Sequence, residues 1–222
     1  MRGTIKVAFG KYYREQFSKP VRKKQDVVLF ILNVVNILLI KQQSEVCGTL
    51  WIKKDKMSRV FCFLEEKYFS TVFPFEIVQK TGIADGFKIY DSILNMEIDN
   101  RKIVLLMRML EQMDFVENSV ETIIQEAYLD VAEDGYTDEE VDQCFGLILR
   151  MLSMELGYIR YDYDPDHENG TMHPLHHLDV NYSSQGTYKL GMNRKIQTDE
   201  FVDMLDVKTA CRYIQKNNIF WR

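Results

Sequence analysis

Proline and cysteine are both scarce, each occurring 4 times in 222 residues. So few prolines leave room for long helices. Cys47, Cys62, Cys144 and Cys211 form no C-x-x-C pair and match no zinc-ligand spacing. Reduced thiols and a cytoplasmic setting are therefore expected, not a disulfide framework. Both common nucleotide loops, G-x-x-x-x-G-K-[ST] and G-x-G-x-x-G, are missing, as is a G-x-S-x-G elbow. No apolar core follows the charges in the first six residues, so no secretory signal is expected. Nor is there an apolar run of the ~20 residues that a membrane span needs. The nearest approach is Val27 to Ile40, a 14-residue run interrupted by Asn33 and Asn36. It reads as a helix buried on most sides, with an amide stripe meeting solvent or a partner.

What is present is charge, unevenly spread. The net charge of −5 argues against a nucleic-acid surface over the whole molecule. Residues 1–24 nevertheless carry eight Lys and Arg against Glu15, and residues 109–149 carry twelve acids with no Lys or Arg. The blocks are either solvated faces or two distinct surfaces, one for a polyanion and one for a basic partner.

Periodicity supplies the elements. Residues 48–52 and 59–64 read as a β-hairpin, and 87–94 fits either strand or helix. Gly82 and Gly86 bracket a turn near Asp85. Ile103, Val104, Leu106, Met107, Leu110 and Met113 mark one amphipathic helix. Val120, Ile123, Ile124, Ala127, Tyr128 and Val131 mark a second, with Ser119 as its cap. Thr137 and Glu140 form a capping box for a third, with Val141, Phe145, Ile148, Leu149 and Leu152 as its stripe and Gly157 as its stop. Strands are expected at 158–164, 178–182 and 187–192, the last two joined through residues 183–186, with a helix from Thr198. The expected architecture is α+β. A mixed part over 1–98 holds the apolar helix and hairpin. Over 99–222, three helices in winged-helix order precede a small antiparallel sheet closed by a helix. The two parts are compatible with one continuous domain.

All four histidines fall within eleven residues: His167, His173, His176 and His177. Asp162, Asp164, Asp166, Glu168 and Asp179 share the region, and Arg160, Lys189, Arg194 and Lys195 could hold an anion. Such a cluster is a wet loop, an acid–base site or a divalent-cation site, and all three readings stay open. No metal ligands and no cofactor are assigned. In an extended segment, side chains four apart share a face, so His173 and His177 point together and His176 away. Asp162 shares a face with Arg160, where it could orient a histidine while Arg160 holds phosphate.

Arg160-Tyr161-Asp162-Tyr163-Asp164, then His173-Pro174-Leu175-His176-His177-Leu178, then Arg194-Lys195-Ile196 and Phe201 carry a resemblance. Over residues 158–205 the chain resembles a bacterial family of unknown function with R-F-D-x-D, H-P-x-x-H-L and R-I-P segments, Lys195 departing from the last. The resemblance implies a toxin-type or anti-phage setting and a ribonuclease activity. The expectation is phosphodiester cleavage using His173, His177, Asp162 and Arg160, with Lys189, Arg194 and Lys195 binding substrate. The alternative is a non-enzymatic accessory subunit bridging an effector to an ATPase or other partner. A protein partner or homo-oligomer is expected from the apolar helix and the apolar ending Ile219-Phe220-Trp221. Nucleic-acid contact is expected through residues 1–24, and no membrane association.

Overall fold

The structure is a computed structural model that describes residues 3–40, 45–80, 86–113, 122, 128, 135–182 and 188–210. Residues 1–2, 41–44, 81–85, 114–121, 123–127, 129–134, 183–187 and 211–222 lie outside this set. With them go the turn at Gly82 and Asp85, most of the second expected helix, the link between the last two strands, Cys211 and the apolar ending.

The architecture is α+β, built on two antiparallel sheets. Strands β1 (Thr4–Phe9), β2 (Gly48–Lys53), β3 (Arg59–Phe63) and β4 (Lys67–Val72) pair in sequence order. The chain then leaves to make a three-stranded sheet, β5 (Glu76–Gln79), β6 (Phe87–Asp91) and β7 (Met96–Ile98), which settles residues 87–91 as strand. After helices α3 (Asn100–Gln112) and α4 (Asp138–Ser153), it returns as β8 (Ile159–Tyr163), which pairs with β4. Strands β9 (His176–Val180) and β10 (Tyr188–Met192) complete a seven-stranded sheet ordered β1-β2-β3-β4-β8-β9-β10. The pairing of β4 with β8 thus joins the parts on either side of residue 99. Strands β8 and β9 are bonded on both edges, so neither is free to act as a wing.

Alternation along the strands divides the core between the two sheet faces. Val60, Cys62 and Phe69 face α1 (Lys11–Ser18) and α2 (Lys24–Leu39), in a core shared with α3 and α4. Phe61, Phe63, Tyr68, Tyr161 and Leu178 face the other way and pack under Phe201 and Val202 of α5 (Thr198–Asp203). The apolar run is the 16-residue α2, and its surface is used inside the chain: Val27, Val28, Ile31, Leu32, Val34 and Val35 are fully buried. Among the described residues no helix is long and apolar enough to cross a membrane.

Several local expectations are corrected. Asn33 is inside, its Nδ2 donating to the Leu29 carbonyl at 2.9 Å, so it adds nothing to a solvent-facing amide stripe. On α3, Val104 is 59% exposed while Leu105 and Met109 are buried. On α4, Cys144, Leu147 and Met151 join Val141 and Ile148 inside, while Leu149 is exposed and Phe145 and Leu152 are half-buried. Packing between α2, α3 and α4 decides the inward face, and a stripe read from one helix alone misplaces it by about one position. The capping box at Thr137 is present: its Oγ1 accepts from the Glu140 amide at 3.2 Å, and its own amide donates to Glu140 Oε2 at 2.9 Å. Helix α4 stops at Met154, three residues before Gly157. Gly157 instead turns the chain into β8 at φ +54°, beside the Arg59 side chain, where a side chain of its own would be strained and crowded. Helix α5 is capped by Gln197 rather than Thr198, with Glu200 closing back on the Gln197 amide at 2.9 Å.

The α3 register is testable. Leu105→Ala is expected to lower the unfolding free energy by about 2–5 kcal/mol. Val104→Ala is expected to stay within about 0.5 kcal/mol. Urea denaturation checks both, and the reverse ranking would refute the inward face described here.

Candidate functional site

Two cross-strand rows of β4, β8, β9 and β10 form the site. One row is Lys67, Asp162, His177 and Gly191; the other is Phe69, Arg160, Asp179 and Lys189. The first two strands of each row are Lys67 or Phe69 on β4 and Asp162 or Arg160 on β8. Because Tyr161 and Leu178 point to the α5 side, both rows point to the side that α1 and α2 occupy. Polar groups on the inward face of a sheet need partners. Here Arg160 supplies them: its Nε donates to Asp162 Oδ2 at 2.6 Å and its Nη2 donates to Asp179 Oδ2. Burial works against the Arg160 charge, but Asp162, Tyr158 and Asp179 outweigh it and hold the guanidinium protonated.

His177 sits behind this pair, 1% exposed. Its Nδ1 lies 2.9 Å from the Pro174 carbonyl, which can only accept, so the proton is on Nδ1 when the ring is neutral. Pro174 fits there because β10 has Gly191 opposite His177: a Cβ at Gly191 would stand 3.0 Å from Pro174 Cγ. The Nε2 atom of His177 is left facing Asp162 Oδ2 at 3.6 Å and Asp179 Oδ1 at 4.0 Å.

A second set of groups lies further out. His173 meets His177 edge to face, with ring centroids 4.8 Å apart. Its Nε2 is 3.0 Å from Asp164 Oδ2, and Lys189 Nζ is 3.0 Å from its Nδ1. The carboxylate acceptor at Nε2 selects the tautomer protonated there, while the Lys189 ammonium, also 3.5 Å from Nε2, lies over the ring face. Asp164 also holds His167, Oδ1 to Nδ1 at 2.9 Å. Burial pushes the Asp164 carboxyl up, but the bonds from His167 and His173 more than reverse this, leaving it below its usual range. The same bond to Asp164 raises His167 above its ordinary 6.5. The two rings it joins have centroids 6.2 Å apart.

An open cleft of about 620 Å³ adjoins these groups, with His173 and His177 set behind its lining. Asp162, Asp164, His167, Asp179, Arg160 and Lys189 line it, and Arg14, Arg22 and Lys67 line its other wall. Lys67 turns its ammonium to the carbonyls of Phe17 and Lys19, at 3.2 and 3.4 Å, and burial pushes its pKa down to about 8.

The expected site residues are thus only partly assembled. Arg160, Asp162, His173, His177 and Lys189 meet. Arg160 is engaged by two carboxylates instead of standing ready for phosphate, and His177 is buried. Arg194 is held by Glu200 at 2.6 and 2.9 Å, and neither it nor Lys195 lines the cleft. Lys195 instead lies near His176, whose pKa is lowered by burial and by Lys195. His176 stacks on Tyr161 and Tyr163 on the α5 side. Asp164, His167 and Asp179, expected only as members of the cluster and given no role of their own, belong to the site, as do Lys67 and Gly191, which no sequence pattern marks. The first three sit inside the histidine-rich stretch, but nothing in the sequence brings Lys67 or the basic segment to it.

The Arg160 bridge gives a stability test. Arg160→Met leaves Asp179, 2% exposed, without its partner, and is expected to cost about 3–5 kcal/mol. Adding Asp162→Asn and Asp179→Asn to that variant should recover much of the loss in urea denaturation. Losses that simply add would show that the three groups do not act as a unit. No family model, curated protein or solved structure matches the chain.

Proposed function

We propose that the chain cleaves RNA by acid–base chemistry in the β8–β10 cleft. The observation that carries the reading is that the basic N-terminal segment and the histidine cluster, far apart in sequence, border one cleft: Arg14 and Arg22 on one wall, His167 and Lys189 on the other. A phosphate backbone needs cations along its track, and its cleavage needs a proton acceptor and a proton donor.

His173 is the base. With Nε2 bonded to Asp164, its Nδ1 carries the lone pair, and Lys189, whose ammonium lies 3.0 and 3.5 Å from the two ring nitrogens, stands beside it to meet the phosphate. Nδ1 then takes the proton of a ribose 2′-hydroxyl, and the 2′-oxygen forms a bond to phosphorus. The bond from phosphorus to the 5′-oxygen breaks, and that oxygen takes a proton from His167, which Asp164 keeps charged to higher pH. The products are a 2′,3′-cyclic phosphate and a 5′-hydroxyl. Lys189, Arg14 and Arg22 stabilise the charge on phosphorus. The setting implied by the resemblance, a cytoplasmic toxin-type or anti-phage system, is part of the proposal.

The reading makes DNA of the same sequence inert, because it lacks the 2′-hydroxyl. His173→Ala and His167→Ala are each expected to reduce cleavage of single-stranded RNA by about 10²–10⁴ with unchanged melting. A charged His167 is the donor, so activity falls as pH rises through its pKa, above 6.5. Asp164→Asn removes the bond that raises this pKa, and the alkaline limb should move to lower pH. Charge reversal at Arg14 and Arg22 should flatten the salt dependence of RNA binding. Folded histidine variants that cleave like the parent, or equal cleavage of RNA and DNA, would sink the reading.

A further inference from the structure

The inner groups of the site carry a separate inference, which does not rest on the ribonuclease reading. Asp162, His177 and Asp179 present one donor atom each within 4.8 Å of one another. Three observations point to what these atoms face. Asp179 is 2% exposed, and its Oδ1 accepts no hydrogen bond among the described residues. His177, with its Nδ1 committed to the Pro174 carbonyl, turns the Nε2 lone pair toward that same Oδ1, at 4.0 Å, and toward Asp162 Oδ2, at 3.6 Å. Both gaps are too long for hydrogen bonds. Lone pairs therefore converge from three sides, while Arg160 engages the Oδ2 atoms of both carboxylates. His177 Nε2 and Asp179 Oδ1 in particular are buried acceptors facing one another without a donor, which is unfavourable unless a positive centre lies between them.

We propose that Asp162, His177 and Asp179 bind a first-row divalent cation at the floor of the cleft. One imidazole and two carboxylates suit manganese or zinc better than an all-oxygen ion such as calcium. The two histidine–carboxylate gaps, 3.6 and 4.0 Å, each fit a centre about 2.0–2.2 Å from both donors. The bond from Nδ1 to a backbone carbonyl is the second contact that orients a ligating histidine and strengthens its lone pair. Arg160 steadies the two carboxylates and offsets part of their charge. Asp162 and Asp179 line the cleft, whereas His177 closes the site from behind, so further positions on the ion open toward the cleft.

The test uses the full chain, stripped with a chelator and titrated calorimetrically with Mn²⁺ and, separately, Zn²⁺. One ion per chain is expected, with a higher melting temperature on binding. The bound Mn²⁺ should show directly coordinated nitrogen in its electron spin-echo spectrum. His177→Gln should abolish the nitrogen signal and weaken binding by more than about tenfold, as should Asp179→Asn. His167→Ala should retain full metal binding even though it removes RNA cleavage, which separates this inference from the ribonuclease reading. Should Asp179→Asn unfold, the spin-echo spectrum of the parent protein still decides the matter. No stoichiometric binding, a manganese spectrum without nitrogen, or binding that survives in folded His177→Gln would overturn the site. So would binding that is lost with His167→Ala, because the ion would then sit on the outer Asp164 cluster.

Discussion

The site depends on one guanidinium. Arg160 bridges Asp162 and Asp179 on the face of a sheet that otherwise packs apolar side chains against α1 and α2. Either carboxylate alone at that depth would be strongly unfavourable, and so would the arginine. Together they let the face change from apolar on β3 and β4 to polar on β8 and β9 without a break in strand pairing. A buried ion pair of this kind is a weak contributor to net stability, but losing one member leaves a charge stranded. Its physical effect is to fix where both carboxylates point.

The chemistry is built outward from that bridge in two tiers. In the inner tier of Asp162, His177 and Asp179, His177 is buried with its Nδ1 held by the Pro174 carbonyl, and the carboxylates reach the cleft. The outer tier of Asp164, His167, His173 and Lys189 is wet, and its carboxylate is shared between two imidazoles. The two meet where the rings of His173 and His177 touch. Enclosure suits holding an ion, and partial exposure suits moving protons to a bound polymer. One stretch of chain supplies both tiers because successive residues of β8 and β9 and the loop between them reach different depths.

Much of this was legible in the sequence, and the reason lies in local periodicity. Alternation over 158–164 marked β8 and put Arg160 with Asp162. The spacing of His173 and His177 placed them together and His176 apart, and the Thr137–Glu140 box marked the start of α4. What was not legible is non-local. No residue of β8 announces β4 as its neighbour, yet that pairing brings Lys67 and the basic segment to the histidines. Depth was equally hidden. His177 and His173 look alike in sequence, and only Gly191 across from His177 lets Pro174 close over one of them. The stripes on α3 and α4 erred because the inward face is decided by partners on two sides.

The central proposal is that the cleft bordered by Arg14, Arg22, His167 and Lys189 receives RNA beside His173. With only four imidazoles in the chain, proton NMR of the histidine rings reads it directly. The titrant is a short single-stranded oligoribonucleotide with 2′-O-methyl groups, which binds without being cut. The account predicts that the His167 and His173 signals move, that His176 on the opposite face stays, and that the shifts fade as salt releases the bound phosphates. Movement of His176 with the cleft histidines still, or no movement at low salt, would contradict it.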